Sequence, residues 1–274
     1  MKFLLLFIIL IISILGDQNC NFIDDNRMDD YIYTSIKINK YNIMKNNLHS
    51  DILLKNNVEV EYLKYNTLEF NHMCGSYVIN KPLNNLEDNF SWINKLHLQE
   101  KTLETWQDVL LEYINILKYI KTGNDVSLSR KELIKCSRNK YLEDKLFYLI
   151  NKGISNTEDF TICNKKSNKT LFSSCYETQI YDRHTIMHIL QERPVLTFMD
   201  VEQFNIRYYS HGILNPVNTK DKLFPIIIMG YGYDELYNTE YWIIYNYLRN
   251  WGNSGIGYLT RRSYNSIPVY WLEI

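Results

Sequence analysis

Three stretches near the C-terminus decide the fold: Gly230-Tyr231-Gly232, Tyr241-Trp242-Ile243-Ile244-Tyr245-Asn246, and Trp251-Gly252-Asn253-Ser254-Gly255-Ile256-Gly257-Tyr258. The second stretch is a run of aromatic and β-branched residues, the types that β-strands favour. Glycine, asparagine and serine surround it, and these residues mark turns. We therefore predict short strands separated by glycine-containing turns in this part of the chain.

The remainder of the second half continues the same pattern. Ile, Val, Tyr, Phe and Trp are concentrated in runs at 194–201, 207–214, 224–231, 241–248, 255–261 and 268–274. Turn signals separate the runs, among them Asn215-Pro216, Gly232-Tyr233-Asp234 and Asn253-Ser254-Gly255. These runs predict a strand-rich lobe at about residues 180–274.

The first half has a helical pattern instead. Apolar residues recur at three- and four-residue spacing over 103–120, which indicates an amphipathic helix with one face in the core. Thr102 is the predicted N-cap of this helix, and Gly123 is predicted to end it. Further helices are predicted at 129–136 and 142–152. Helices first and strands later are typical of an α+β chain, with a helical lobe here at about 92–165.

Composition restricts the class of protein. The 274 residues are 46% hydrophobic and 22% charged, which is globular composition and excludes wholesale disorder. Lysine and arginine together number 30 and the acidic residues 31, so the net charge is −1. Without a basic excess, nucleic-acid binding is not expected.

The N-terminus has the pattern of a secretory signal peptide. Met1-Lys2 is followed by an apolar run that ends at Gly16, and this run is shorter than the roughly 20 residues that span a membrane. We predict a signal peptide at 1–16, a secreted extracellular chain, and no membrane attachment after cleavage. The alternative is an N-terminal membrane anchor.

Secretion makes disulfides and glycans possible. The five cysteines are Cys20, Cys74, Cys136, Cys163 and Cys175, and the last four allow three pairings. Asn89-Phe90-Ser91 and Asn168-Lys169-Thr170 are N-glycosylation sequons, which predict surface acceptors at Asn89 and Asn168.

Several segments together resemble papain-like cysteine peptidases. Residues 128–136, Leu-Ser-Arg-Lys-Glu-Leu-Ile-Lys-Cys, are similar to that family's "LSEQELVDC" helix, and the three stretches quoted first are similar to "GYG…YWIIKNSW…WGxxGYGY". The resemblance implies a two-lobe α+β peptidase domain at 74–274. Residues 17–73 then stand where the family has a propeptide, as a shortened extension.

The entry segment at Cys74 and the ending Ile267-Pro268-Val269-Tyr270-Trp271-Leu272-Glu273-Ile274 look most like the mite group 1 allergen branch. An inactivated paralogue of that branch, of the kind described in the scabies mite, fits this combination. The resemblance also implies the disulfide pairs Cys74–Cys175 and Cys136–Cys163.

The family's site positions can be carried over one by one. Trp106 lies 30 residues before Cys136, the spacing of the family's motif tryptophan, so Thr105 stands at the nucleophilic cysteine. Phe224, six residues before Gly230, stands at the catalytic histidine.

Two supporting residues of the site remain. Asn246 matches the family's asparagine, whose amide orients the imidazole, and Gln99 matches the glutamine that helps to hold the oxyanion. The alternative for both is that they are structural relics. Likewise Thr105 can be an ordinary residue in the first turn of the helix, and Phe224 a core residue on a buried strand.

Both reacting groups are therefore replaced. A threonine hydroxyl is a far weaker nucleophile than a thiolate, and phenylalanine cannot carry a proton. We expect a secreted, proteolytically inactive chain that binds a protein or peptide through the former cleft or its surface. It would mask substrate, compete with active proteases or engage a host protein. Two alternatives stay open: an active endopeptidase with a non-standard site, and a structural or antigenic secreted protein without a cleft function.

No cofactor and no metal ion are expected. His184 and His188 have the i, i+4 spacing that metal ligands use on a helix, but no acidic or cysteine partner accompanies them in the sequence.

Overall fold

The computed structural model describes residues 19–20, 36–37, 74–76, 86–96, 105–137, 142–163, 168–180, 182–200, 209–214, 223–246, 251–261 and 267–274. Its helices are α1 (Trp106–Thr122), α2 (Arg130–Cys136), α3 (Leu142–Lys152) and α4 (Arg183–Leu190), with a 3-10 turn at Ile93–Lys95. Its strands are β1 (Asn19–Cys20), β2 (Ile36–Lys37), β3 (Gly75–Ser76), β4 (Phe90–Ser91), β5 (Ile154–Ser155), β6 (Lys169–Thr170), β7 (Ser174–Gln179), β8 (Val195–Asp200), β9 (Ile213–Leu214), β10 (Leu223–Asp234), β11 (Thr239–Tyr245), β12 (Ile256–Thr260) and β13 (Pro268–Glu273).

One mixed sheet organises the second half of the molecule. Its strand order is β3-β7-β13-β8-β10-β11-β12-β9, and β4 pairs with β10 outside that path. The pairs β3–β7 and β12–β9 are parallel, and the others are antiparallel. Two further pairs, β1–β2 and β5–β6, stand apart from it. Helices together with a large sheet confirm the predicted α+β class.

Helix α1 is the central helix of the core. Val109, Leu110, Tyr113 and Ile114 are completely buried along it, as the apolar spacing predicts. The helix packs against β10 and β8, and the Tyr113 hydroxyl donates to the carbonyl of Pro194 at 3.2 Å. It thereby joins the helical half of the chain to the sheet.

The predicted start of α1 is wrong, while its predicted end is confirmed. The N-cap is Thr105, not Thr102, and the helix begins at Trp106. The Asp108 carboxylate accepts the Thr105 backbone N–H at 2.9 Å and so satisfies one of the donors at the helix start. At the other end Gly123 adopts φ 71°, the left-handed conformation that glycine accepts at a C-cap.

The other predicted helices are observed with small or no shifts. Ser129 caps α2 by accepting the Glu132 N–H at 3.1 Å, so the helix proper starts one residue after the predicted 129. Helix α3 has the predicted limits. Of the described helices, none is long and apolar enough to cross a membrane.

Strand β10 depends on a glycine where β4 crosses it. A Cβ at Gly230 would lie 2.1 Å from the carbonyl oxygen of Phe90, so no other residue allows the two backbones to approach this closely. The predicted turn at Gly232-Tyr233-Asp234 is wrong. The strand runs on to Asp234 because its pairing with β11 continues to Thr239, and the turn occupies 235–238.

The strand predictions hold where local pattern is strong. Of the predicted runs, 194–201, 224–231, 241–248, 255–261 and 268–274 each contain a strand. In 207–214 the described strand is Ile213–Leu214, and 201–208 lie outside the described residues. Strand β7 was not predicted, and it joins the sheet although it precedes residue 180.

Both disulfides implied by the resemblance are present. Cys74 bonds to Cys175 and thereby ties the entry segment to β7, and Cys136 bonds to Cys163 and closes the segment around α3. The Cys20 side chain lies outside the described residues.

Candidate active site

The N-terminus of α1 places the predicted nucleophile position at a helix end. Thr105 is the N-cap, so its side chain stands where backbone N–H groups and the helix dipole favour a negative charge. This is the position that suits a reactive thiolate. The helix end therefore offers a setting that suits a nucleophile, and the side chain at its N-cap is an alcohol.

The Thr105 hydroxyl is held by two charged residues. It donates to Asp108 Oδ2 at 2.8 Å and accepts from Arg130 Nη2 at 3.3 Å. Arg130 Nε in turn bonds to Asp108 Oδ1 at 2.5 Å. The three side chains form a closed triangle, in which the carboxylate is 12% exposed and the guanidinium 47%. A hydroxyl held this way is oriented toward neighbours in its own half of the chain.

The paired strands β10 and β11 bring the other two predicted positions together. Ile227 pairs with Tyr245, and extending this register by one residue places Asn246 opposite Ile226. Phe224 is two residues further along β10, where it pairs with Met199 of β8. Backbone positions related in this way are diagonal neighbours on one face of a sheet. By this register, the backbone positions of Phe224 and Asn246 are diagonal neighbours at the end of the β10–β11 pair.

The loop that follows β11 fixes Asn246. Its side chain is completely buried, and its backbone N–H donates to the Gly255 carbonyl at 2.7 Å. Gly255 adopts φ 86°, and a Cβ there would lie 2.7 Å from the Asn246 carbonyl oxygen. The turn at Gly255 therefore needs glycine, and it holds the Asn246 backbone in place.

A buried aromatic pair supports this loop. The Trp251 and Tyr209 rings pack with centroids 4.7 Å apart, and the Tyr209 hydroxyl donates to the Gly212 carbonyl at 2.6 Å. Burial raises the pKa of Tyr209, so the phenol stays a neutral donor at physiological pH. The loop that follows Asn246 is thus well packed.

The described cysteines offer no thiol. Cys74, Cys136, Cys163 and Cys175 are all in disulfides, and a disulfide sulfur is neither a thiolate nucleophile nor a titrating group.

The described histidines stand at other places in the fold. His184 and His188 pack edge to face on α4 with ring centroids 4.9 Å apart, and exposed His211 contacts the Ser210 hydroxyl. Across the described ranges, no three His, Cys, Asp or Glu side chains are grouped as metal ligands.

Other predicted site residues have separate positions. Gln99 lies outside the described residues. Asn89 and Asn168 are both exposed, just before β4 and β6 respectively, as a surface acceptor requires.

The comparisons with known proteins decide the family. A model of the papain family cysteine proteases matches residues 91–270, about two thirds of the chain. This chain belongs to that family. The match includes the helix that carries Thr105, the strand that carries Phe224 and the loop that follows Asn246.

Relatives in this family are distant and are named as proteases. Fruit bromelain of Ananas comosus is 24% identical over 176 residues, which cover 59% of this chain and 49% of bromelain. A cysteine protease of Blomia tropicalis is 24% identical over 213 residues, 67% of this chain and 64% of its own. The chain therefore spans from about half to just under two thirds of these relatives' length.

Solved structures agree on a papain-like fold. A structure from a study of antibody cross-reactivity between the mite allergens Blo t 1 and Der p 1 matches with a TM-score of 0.66. It is 20% identical and covers 88% of this chain and 86% of its own. The proform of the ragweed pollen cysteine protease Amb a 11 matches with a TM-score of 0.65 at 17% identity, covering 92% of this chain and 83% of its own.

Sequence reasoning missed Asp108 and Arg130. The family's nucleophile motif is "QGxCGSCWAF", and Asp108 takes the place of its phenylalanine. Arg130 takes the place of the first glutamate of "LSEQELVDC". The sequence shows each residue as a departure from its motif, but it does not show that the two side chains pair across 22 residues of chain.

Proposed function

We propose that this papain-family protein is secreted, does not hydrolyse peptides, and acts by binding a protein or peptide through the former cleft. The observation that carries the proposal is the closed triangle of Thr105, Asp108 and Arg130 at the nucleophile position. An alcohol stands there in place of a thiolate poised for attack, and its single O–H donor is already bonded to Asp108.

The chemistry of the replaced residues supports this proposal. An alcohol needs a general base to become a nucleophile, and the position of the family's base holds Phe224. The cysteines with described side chains are all oxidised in pairs, so they cannot stand in for the lost thiol. The rigid packing around Asn246 meanwhile preserves the fold of the site, which is what a binding role requires.

Secretion is supported by the same disulfides. Paired cysteines form and persist in oxidising compartments and are rare in the cytosol. With the apolar run that ends at Gly16, they favour entry into the secretory route.

A direct test compares hydrolysis and labelling with an active relative. The secreted chain is incubated with fluorogenic peptides and with a thiol-directed epoxide, with fruit bromelain as the positive control. We expect no turnover above buffer and no labelling. Turnover that disappears in Thr105→Ala would overturn the proposal.

One contact favours a second candidate, an endopeptidase that uses Thr105 as nucleophile and Asp108 as base. The 2.8 Å bond between them has the geometry of a nucleophile and its base. Against it, the same carboxylate is already engaged by Arg130, whose Nε bonds to Asp108 Oδ1 at 2.5 Å. Turnover lost in both Thr105→Ala and Asp108→Asn would favour this candidate, with Asp125→Asn, an exposed residue after α1, as the matched control.

A further inference from the structure

We propose that Asn89 carries an N-linked glycan whose first sugar packs against an open tyrosine face of the sheet beside Gly232, Tyr241 and Tyr258. This inference rests on the secretory route in the proposed function. It does not depend on whether the chain hydrolyses peptides.

The Asn89 side chain is held with its amide nitrogen available. Asn89 is exposed and begins the sequon Asn89-Phe90-Ser91. Its Oδ1 accepts the Tyr233 N–H at 2.9 Å, which fixes the amide against β10. Its Nδ2 makes no hydrogen bond within the described part of the chain, and Nδ2 is the atom to which the sugar is linked. The anchoring bond to Oδ1 is compatible with a sugar on the nitrogen.

A glycine allows the Tyr241 phenol to lie close to this amide. Gly232 pairs with Tyr241, and a Cβ at Gly232 would lie 2.5 Å from the Tyr241 hydroxyl oxygen and 2.8 Å from Asn89 Oδ1. The two oxygens are therefore no more than about 5 Å apart. A sugar on Asn89 begins within reach of the Tyr241 phenol.

Tyr258 extends the surface away from Asn89. The Tyr241 and Tyr258 rings pack edge to face with centroids 5.1 Å apart, and Tyr258 is 36% exposed. Ile243 pairs with Tyr258 and is half-buried between β10 and β12. Together these side chains form a partly open apolar face.

The chemistry of such a face suits a pyranose. Tyrosine combines an apolar ring, whose face is electron-rich, with a polar hydroxyl. The C–H groups of an N-acetylglucosamine ring are weakly positive and pack on that face, while its hydroxyl and acetamido groups bond to the phenols and to water. A glycan in this place covers apolar surface that would otherwise meet solvent.

The first test asks whether Asn89 is modified. The full chain is expressed in a eukaryotic secretory host, and the intact mass is compared before and after peptide N-glycosidase treatment. Asn89→Gln should remove one glycan mass, and Asn168→Gln serves as the matched variant at the second exposed sequon. An unmodified Asn89 in the wild-type chain overturns the proposal, whatever the state of Asn168.

The second test asks whether the sugar packs. Under native conditions the glycan at Asn89 should resist enzymatic removal, and Tyr258→Ser should speed its removal at least threefold. Removal at Asn168, in the helical half, should not change in that variant. Tyr241→Ser gives a second variant, which removes the phenol beside Gly232. Equal removal rates in wild type and both variants overturn the packing. Peptide hydrolysis by the same preparations would overturn the proposed function and leave the glycan result unchanged.

Discussion

Introducing a cysteine at position 105 should not create a reactive thiol. In Thr105→Cys the sulfur takes the place of a hydroxyl that lies 2.8 Å from Asp108 Oδ2 and 3.3 Å from Arg130 Nη2. With an effective dielectric constant of about 20, a thiolate there feels roughly 6 kcal/mol of repulsion from the carboxylate and roughly 5 kcal/mol of attraction from the guanidinium. The helix N-terminus adds about 0.5–1 kcal/mol of attraction.

These contributions nearly cancel. Arg130 is the more exposed of the two charges, so solvent screens its attraction more than the repulsion from Asp108. The thiol pKa should therefore stay near or above the ordinary value of about 8.5, well above the range of about 3.5–7.5 of thiols activated at helix ends or beside cations. Adding Asp108→Asn removes the repulsion and should lower the thiol pKa by about 2–4 units.

The assay is the pH dependence of iodoacetamide alkylation. A Cys20→Ser background leaves position 105 as the reactive thiol, since the other cysteines are in disulfides. Thr122→Cys, exposed at the opposite end of α1, is the matched control and should titrate above about 8.5 because the helix C-terminus disfavours a thiolate. A pKa below about 6 in Thr105→Cys with Asp108 intact would refute the reasoning, because it would mean that the carboxylate does not face the sulfur.

The remaining predictions concern stability. Burial alone would raise the pKa of Glu132, but hydrogen bonds, chiefly from Lys169, outweigh burial and lower that pKa. The ionised Glu132 therefore stabilises the fold above the unfolded pKa of about 4.3, and this stabilisation is lost as pH falls through the pKa of the folded state. Glu132→Gln should cost about 3 kcal/mol at pH 7 and flatten the acid limb of a Tm-against-pH curve; an unchanged acid limb contradicts this. Gly230→Ala should cost about 2–3 kcal/mol in urea unfolding, against less than about 0.5 for the uncrowded Gly75→Ala; equal costs contradict the close strand crossing. Replacing both cysteines of the Cys136–Cys163 bridge, which are 27 residues apart, should cost about 3.5 kcal/mol; no loss would mean that the reduced chain is constrained in another way.

Local patterns predicted most of the architecture. The limits of α3 and the end of α1 at Gly123 were predicted because apolar spacing and a C-cap glycine act within a few residues. The disulfide pairs came from the family resemblance, since four cysteines alone leave three pairings open.

Strand β7 shows where local pattern fails. Its sequence Ser-Cys-Tyr-Glu-Thr-Gln has little hydrophobic content, and it is a strand because β13 pairs with it over six residues and β3 adds a parallel edge. The strands that pair with β7 lie about 100 residues away in either direction, so the local sequence around β7 does not include the residues that stabilise it as a strand. The same holds for the turn misplaced at Gly232, where pairing with β11 extends β10.

The candidate site separates into a part that sequence can predict and a part that it cannot. The assignment of Thr105 and Phe224 to the positions of the reacting residues is a prediction from spacing along the chain, because each lies at a fixed distance from an aromatic or glycine marker. That the replacement hydroxyl is engaged does not follow, because Asp108 and Arg130 meet only when the start of α2 packs beside the start of α1. If only the side chain at position 105 prevented a reactive thiolate, the single mutation Thr105→Cys would supply one. With the Asp108 carboxylate beside that position, the single mutation is not enough, because the carboxylate would repel the thiolate. If Asp108→Asn is needed before the thiol of Thr105→Cys ionises, at least two residues at the start of α1 disfavour a reactive thiolate at this position.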